Sequence, residues 1–150
     1  MYSIVLSLHS LLRWAAIFVG AYSVLRALTG IVAKGTWLKA DDTARRLFPI
    51  ALDVQFVLGA ALWAFLSPLT AGIVHSRAFS SVNDPMLRFY VLDHGAAGLL
   101  ALLLAHFGSI RARRLKSSRA RFQSILLLHG LAFVLVLART PWDRPLLHLP

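Results

Sequence analysis

The sequence contains no cysteine, and this absence excludes several kinds of site. Disulfides, thiolate metal sites, iron–sulfur clusters and thioether-linked haem all require a cysteine sulfur. The chain also lacks a phosphate-binding loop, an HExxH zinc motif and a nucleophile elbow, so nothing in it predicts hydrolytic or phosphoryl chemistry. Histidine, which occurs six times, is the main residue type left for holding a metal or cofactor.

Charged residues are scarce, at 15% of the chain, whereas hydrophobic residues make up 58% and the mean hydropathy is +0.69. A chain of 150 residues cannot bury so much apolar surface in one soluble core, so lipid is the expected solvent. The formal net charge of +10 fits orientation in a membrane and contact with anionic lipid headgroups. We therefore expect no nucleic-acid partner.

Four apolar segments lie near residues 3–29, 47–67, 87–110 and 122–139. Each is close to the ~20 residues that cross the hydrocarbon core, so we predict an all-α integral membrane four-helix bundle in one domain, 1–150. The first segment is too long for a cleavable signal peptide and lacks a basic leader, so we expect it to be retained. Short connectors predict an up-down-up-down arrangement in which sequential helices are neighbours.

The basic residues predict the orientation of the bundle. Eleven lie in the first and third connectors or at their edges: Arg26, Lys34, Lys39, Arg45, Arg46, Arg111, Arg113, Arg114, Lys116, Arg119 and Arg121. Four lie on the opposite side: Arg77, Arg88, Arg139 and Arg144. By the positive-inside rule both basic connectors are cytoplasmic and both termini are outside. We expect the bacterial inner membrane as the location.

Two histidines share a predicted depth near the outer surface. His9 lies about six residues into the first span and His94 about seven into the third, which puts both ~10 Å below that surface. Neutral imidazoles from facing helices can ligate haem iron from both sides. The small residues GAAG at 95–98 leave room beside His94, and Arg13, one turn beyond His9, can pair with a haem propionate or with Asp93.

A second, looser level lies near the cytoplasmic side and contains His106, His129 and Asp53. The twelve residues from His94 to His106 turn a helix by ~120°, so these two histidines do not point into one groove. Asp53, close to Gln55 on the second span, can orient His106, pair with an arginine of the basic connectors, or take up a proton near a quinone. Of these three we favour the ion pair.

Each of these histidines also has a purely structural interpretation. A membrane histidine can hydrogen-bond to a carbonyl or serine of a neighbouring helix, and GAAG is an ordinary helix-packing sequence. His9, His94 and Arg13 would then form a polar network in a protein without a cofactor. A remoter alternative is a single histidine that ligates the magnesium of chlorophyll. His75 and His148, in a loop and in the tail, are expected to be solvated or interfacial.

The order of motifs LHSLLRW, LDVQFVLGAALW followed by SP, RFYVLDHGAAGLLALLLAHFG and RTPWDRPL resembles a group of small bacterial four-helix membrane proteins that carry the label cytochrome b. The likeness covers most of the chain. It implies that the family's polar membrane residues are His9, Arg13, Trp14, Asp53, Gln55, His94 and His106, closed by Pro141 and Trp142. In that group the position of His129 is often filled by a residue that cannot ligate.

These observations predict a b-type cytochrome-like electron-transfer subunit, with haem b held by His9 and His94 and a second histidine level at His106 and His129. Its expected partners are other membrane subunits of a respiratory or photosynthetic complex, with quinone as a candidate. Any enzyme activity would belong to that oxidoreductase complex. The alternative from another functional class is a cofactor-free accessory or assembly subunit.

Overall fold

The structure, a computed structural model, describes residues 1–142 of the chain. Its helices are α1 (Tyr2–Val32), α2 (Lys39–Ala61), α3 (Ala71–Ser76), α4 (Pro85–Arg88), α5 (His94–Arg114) and α6 (Ser118–Ala138). Two π-helical segments extend them: Leu62–Leu66 continues α2, and Phe89–Asp93 joins α4 to α5. No β-strand occurs within the described part, so the prediction of an all-α chain is confirmed there.

Four helices are long and apolar enough to cross a membrane: Tyr2–Val32, Lys39–Leu66, Pro85–Arg114 and Ser118–Ala138. They match the four predicted apolar segments, of which the second and fourth run one residue past the end of their helix, and they mark a multi-pass membrane protein. The second begins eight residues earlier than its predicted span, inside the basic connector. The reason is Asp41, whose carboxylate accepts a hydrogen bond of 2.8 Å from the backbone N–H of Leu38 and so starts the helix there.

Each long helix packs against two others: α1 against α2 and α6, and α5 against α2 and α6. Alanines such as Ala16, Ala101, Ala105 and Ala132, each at most 1% exposed, fill much of the centre around the ring of Phe48. Small side chains allow membrane helices to approach closely, and their contacts replace the hydrophobic driving force that lipid does not supply. Many large apolar side chains point outward, away from this centre.

The two basic connectors meet at one end of the molecule, which we call the basic end. The backbone N–H of Trp37, in the first connector, donates to the hydroxyl of Ser118 at 3.0 Å, and the guanidinium of Arg121 lies 5.8 Å from the Trp37 ring. Arg26 of α1 pairs with Asp41 of α2 at 2.7 Å. These contacts bind α1, α2 and α6 together where most of the charge is found.

Candidate functional site

His9 of α1 and His94 at the start of α5 lie beside each other at the end opposite the basic end. Their ring centroids are 6.2 Å apart and the ring planes cross at 79°. The helix turns as a π-helix over Phe89–Asp93 immediately before His94, and such turns in membrane and soluble helices often accompany functional residues. The two imidazoles thus lie at one level, as their positions along the first and third spans predict.

The chain just after α6 holds both α1 and α5 at this site. The Nδ1–H of His94 donates to the carbonyl oxygen of Arg139 at 2.7 Å, since a carbonyl can only accept. The guanidinium of Arg13 donates to the carbonyl of Pro141 at 3.0 Å, and the ring of Trp142 lies 6.0 Å from that of Trp14. We call residues 139–142 the closing turn. It leaves the Nε2 of a neutral His94 ring with its lone pair available.

Unpaired buried polar atoms concentrate near the histidine pair. Six such atoms occur on buried parts of side chains within residues 1–142, and four of them belong to His9, Arg13, Trp14 and Gln55. Gln55 uses its amide nitrogen to donate to the backbone carbonyl of His9 at 3.1 Å, but its oxygen has no partner. A buried polar atom without a partner costs about 1–3 kcal/mol. This end of the bundle therefore carries buried polar atoms that form no hydrogen bond within the described chain.

The two imidazoles fit the donor set of a low-spin haem. A haem placed here would be held by His9 and His94, whose ring centroids lie 6.2 Å apart. The closing-turn carbonyl that binds Nδ1 of His94 is the kind of outer partner that fixes a ligating imidazole. No group of three or more side chains that could ligate a metal gathers anywhere in the described chain.

Small residues line both histidines. A Cβ built on Gly59 of α2 would lie 3.2 Å from Cε1 of His9, while Cβ positions on Gly95 and Gly98 of α5 would meet nothing within 4 Å. Gly98 lies one turn from His94 on the same helix face. Gly95 and Gly98 are exposed on the surface of α5, and the room that GAAG is expected to leave for a macrocycle beside His94 stays a prediction.

His129 does not have the surroundings predicted for a ligand of the inner level. It is 0% exposed; its Nε2–H donates to the Ala105 carbonyl at 3.1 Å, and its Nδ1 accepts from the Ser23 hydroxyl at 2.8 Å. Gly108 makes room for it, since a Cβ there would lie 2.9 Å from Cδ2 of His129. With both ring nitrogens engaged, this imidazole has no lone pair to offer a metal, which argues against the ligand role.

His106 faces α2 instead of joining His129. Its Nε2–H donates to Oδ1 of Asp53 at 2.9 Å, and the two side chains are 44% and 45% exposed. The ion pair between Asp53 and an arginine that we favoured is therefore wrong. The acidic partners of the buried and nearby arginines are Asp41 and Asp42, which lie closer to the basic end.

The remaining predicted residues do not make the contacts that were expected of them. Arg13 does not reach Asp93, because its guanidinium turns to the closing turn, and no ion pair involves Asp93 within residues 1–142. His75 is exposed, 6.1 Å from the ring of Phe65. His148 lies outside the described residues.

The sequence argument missed the acceptors of the closing turn. The resemblance marks Pro141 and Trp142 by their side chains, but the groups that bind His94 and Arg13 there are backbone carbonyls, which no side-chain pattern marks. A signal was nevertheless present, because a proline close behind a helix end exposes the last carbonyls of that helix to other partners. Comparisons with protein families, with curated proteins and with solved structures find no match to this chain.

Proposed function

We propose that this chain is a b-type cytochrome-like electron-transfer subunit that holds one haem between His9 and His94. The observation that carries the proposal is the 6.2 Å separation of the two imidazole rings, which come from different helices. Two further observations support it: Nδ1 of His94 is held by a backbone carbonyl, and Nδ1 of His9 and Oε1 of Gln55, whose amide binds the His9 backbone, are buried without a partner in the described chain.

The chain's own residues divide the work between ligation and positioning. His9 and His94 are the candidate ligands, and the Arg139 carbonyl fixes the rotation of the His94 ring. Arg13, held by the carbonyl of Pro141, brings a fixed positive charge to this end and is the candidate partner of a haem propionate. Gly59 allows the His9 ring to lie against the α2 backbone.

A haem held by His9 and His94 would supply one-electron transfer. The protein would then relay electrons rather than transform a substrate. We place it in the bacterial inner membrane as an up-down-up-down bundle with both termini outside, as the asymmetry of Lys and Arg favours. Its donors and acceptors would be other membrane subunits of a respiratory or photosynthetic complex, with quinone as the candidate mobile carrier.

An optical spectrum of the purified full-length protein, first oxidised and then reduced, tests the proposal. We expect a reducible haem band in the wild type and its loss in His9→Ala and in His94→Ala. His75→Ala, at an exposed position of α3 where the ring lies beside Phe65, is the matched control and should keep the band. A wild-type protein without a haem band after expression with ample haem, or a band that survives both ligand substitutions, contradicts the proposal.

The second candidate function is a cofactor-free accessory subunit that helps to assemble a membrane complex. The hydrogen bonds from His94 and Arg13 to the closing turn favour it, because they join three helices without any cofactor. In that case His94→Ala weakens assembly of the complex and leaves the redox spectrum of the complex unchanged. Loss of a haem signal in the same variant would decide for the first function.

A further inference from the structure

A groove of about 440 Å³ opens between α2 and α5 at the basic end. Its lining is mostly polar and charged and consists of Asp42, Arg45, Arg46, Ser109, Ile110 and Arg113. Three arginines and one aspartate give this lining a net charge of +2. We call it the α2–α5 groove.

Arg45 forms the rigid floor of the α2–α5 groove. It is only 6% exposed; its guanidinium donates to the Ser109 hydroxyl at 2.9 Å, to the Ser109 carbonyl at 3.1 Å, and to Asp42 at 2.9 Å. These bonds connect α2 to α5 and use most of the donors of Arg45. The floor is therefore fixed before any ligand arrives.

Arg46 and Arg113 keep donors free at the rim. The Arg46 side chain is 62% exposed. It donates to the Asp42 carboxylate through Nη2 and to the Asp42 backbone carbonyl through Nε at 3.3 Å, which leaves three of its five N–H groups unused. Arg113 is exposed, and no carboxylate pairs with it within the part of the chain that the structure describes. Two guanidinium groups with free donors on opposite walls of a groove suit a phosphate oxyanion.

An apolar surface continues from the α2–α5 groove toward the middle of the helices. On α5 the exposed side chains of Phe107 and Leu103 follow Ile110 at helical spacing, and on α2 Ile50 follows Arg46 one turn later. A free phosphate ion would gain nothing from contact with this apolar surface, whereas the acyl chains of a lipid would cover it. Basic pockets between membrane helices commonly bind anionic headgroups in this way.

We propose that the α2–α5 groove is a binding site for an anionic phospholipid, whose phosphate is held by Arg46 and Arg113 and whose acyl chains lie along Ile50 and Phe107. Arg45 acts as a positioning residue, since its donors are committed to Asp42 and Ser109. This site does not depend on the proposed haem, because it uses different residues at the other end of the bundle.

Lipid titration of the full-length protein in neutral detergent, read by native mass spectrometry, tests this site. The probes are phosphatidylglycerol and phosphatidylcholine with identical acyl chains, and inorganic phosphate alone. We expect the wild type to bind phosphatidylglycerol about thirtyfold more tightly than phosphatidylcholine, as two cations at an anionic headgroup imply. Arg46→Gln/Arg113→Gln should abolish this preference.

The matched control is Arg111→Gln/Arg119→Gln, which removes the same charge from two exposed positions outside the groove. It should keep the preference to within about twofold. Arg113→Gln alone, at an exposed position that cannot unfold the bundle, should lose about half of the preference on a logarithmic scale. Equal losses in the groove and control variants, or displacement of the lipid by millimolar phosphate, would overturn the proposal.

Discussion

We expect Ser23→Ala and His129→Ala to destabilise the bundle in a coupled manner, because these side chains share a buried hydrogen bond between α1 and α6. The hydroxyl of Ser23 lies 2.8 Å from Nδ1 of His129, and the two residues are 1% and 0% exposed. A double-mutant cycle isolates the free energy of this shared contact from the cost of each substitution.

The magnitude follows from the environment of the two groups. Hydrogen bonds between membrane helices are worth ~0.6 kcal/mol on average and at most ~1.7 kcal/mol, so we expect a coupling free energy of about 0.5–1.7 kcal/mol. His129→Ala also removes a ring that packs 5.3 Å from the Phe48 ring, and deleting a buried ring costs about 3–5 kcal/mol. The single Ser23→Ala should cost about 1–2 kcal/mol, because it leaves a buried nitrogen unpaired.

Unfolding by SDS titration of the detergent-solubilised protein, followed by circular dichroism of the helices, measures these free energies. Ser124→Ala is the control: Ser124 is 6% exposed and its hydroxyl has no hydrogen-bond partner within the described chain, so we expect a cost below about 0.5 kcal/mol. A coupling indistinguishable from zero, or a Ser124→Ala variant as unstable as Ser23→Ala, would refute the reasoning.

Two further predictions concern packing and charge at the basic end, and the same SDS titration checks both. Gly30→Ala should destabilise by about 1–3 kcal/mol, because the added Cβ would lie 2.4 Å from Cζ of Phe122; Gly130→Ala, which meets nothing within 4 Å, should be neutral or stabilising. Arg45→Gln should lower the free energy of unfolding by about 2–3 kcal/mol, because its charged hydrogen bonds are lost. The exposed Arg46→Gln should lower it by under ~1 kcal/mol. Equal costs would contradict this ranking.

The sequence was sufficient to predict the four long apolar helices and the level shared by His9 and His94. Both follow from counting: a run of apolar residues sets the length of a helix, and a residue's position along it sets its depth. Sequence counting failed at the start of α2, since a helix can begin among charged residues when one of them, Asp41, caps it.

The partners of the polar side chains could not be predicted in the same way, because depth does not determine rotation about the helix axis. His106 and His129 have similar depths, yet one faces Asp53 and the other faces Ser23. A rotation of a few tens of degrees separates a metal ligand from a packing residue. The interior contacts that decide this rotation, such as the space left by Gly108 for His129, involve residues with no polar signal of their own.

The closing turn meets its two partners through main-chain oxygens of Arg139 and Pro141 rather than through side chains. Such acceptors survive replacement of the residue that carries them, because every amino acid has the same carbonyl group. They do not survive a change in chain length, since inserting or deleting one residue before Pro141 would move both oxygens together. For these two acceptors, evolutionary change should thus be stricter in spacing than in residue identity.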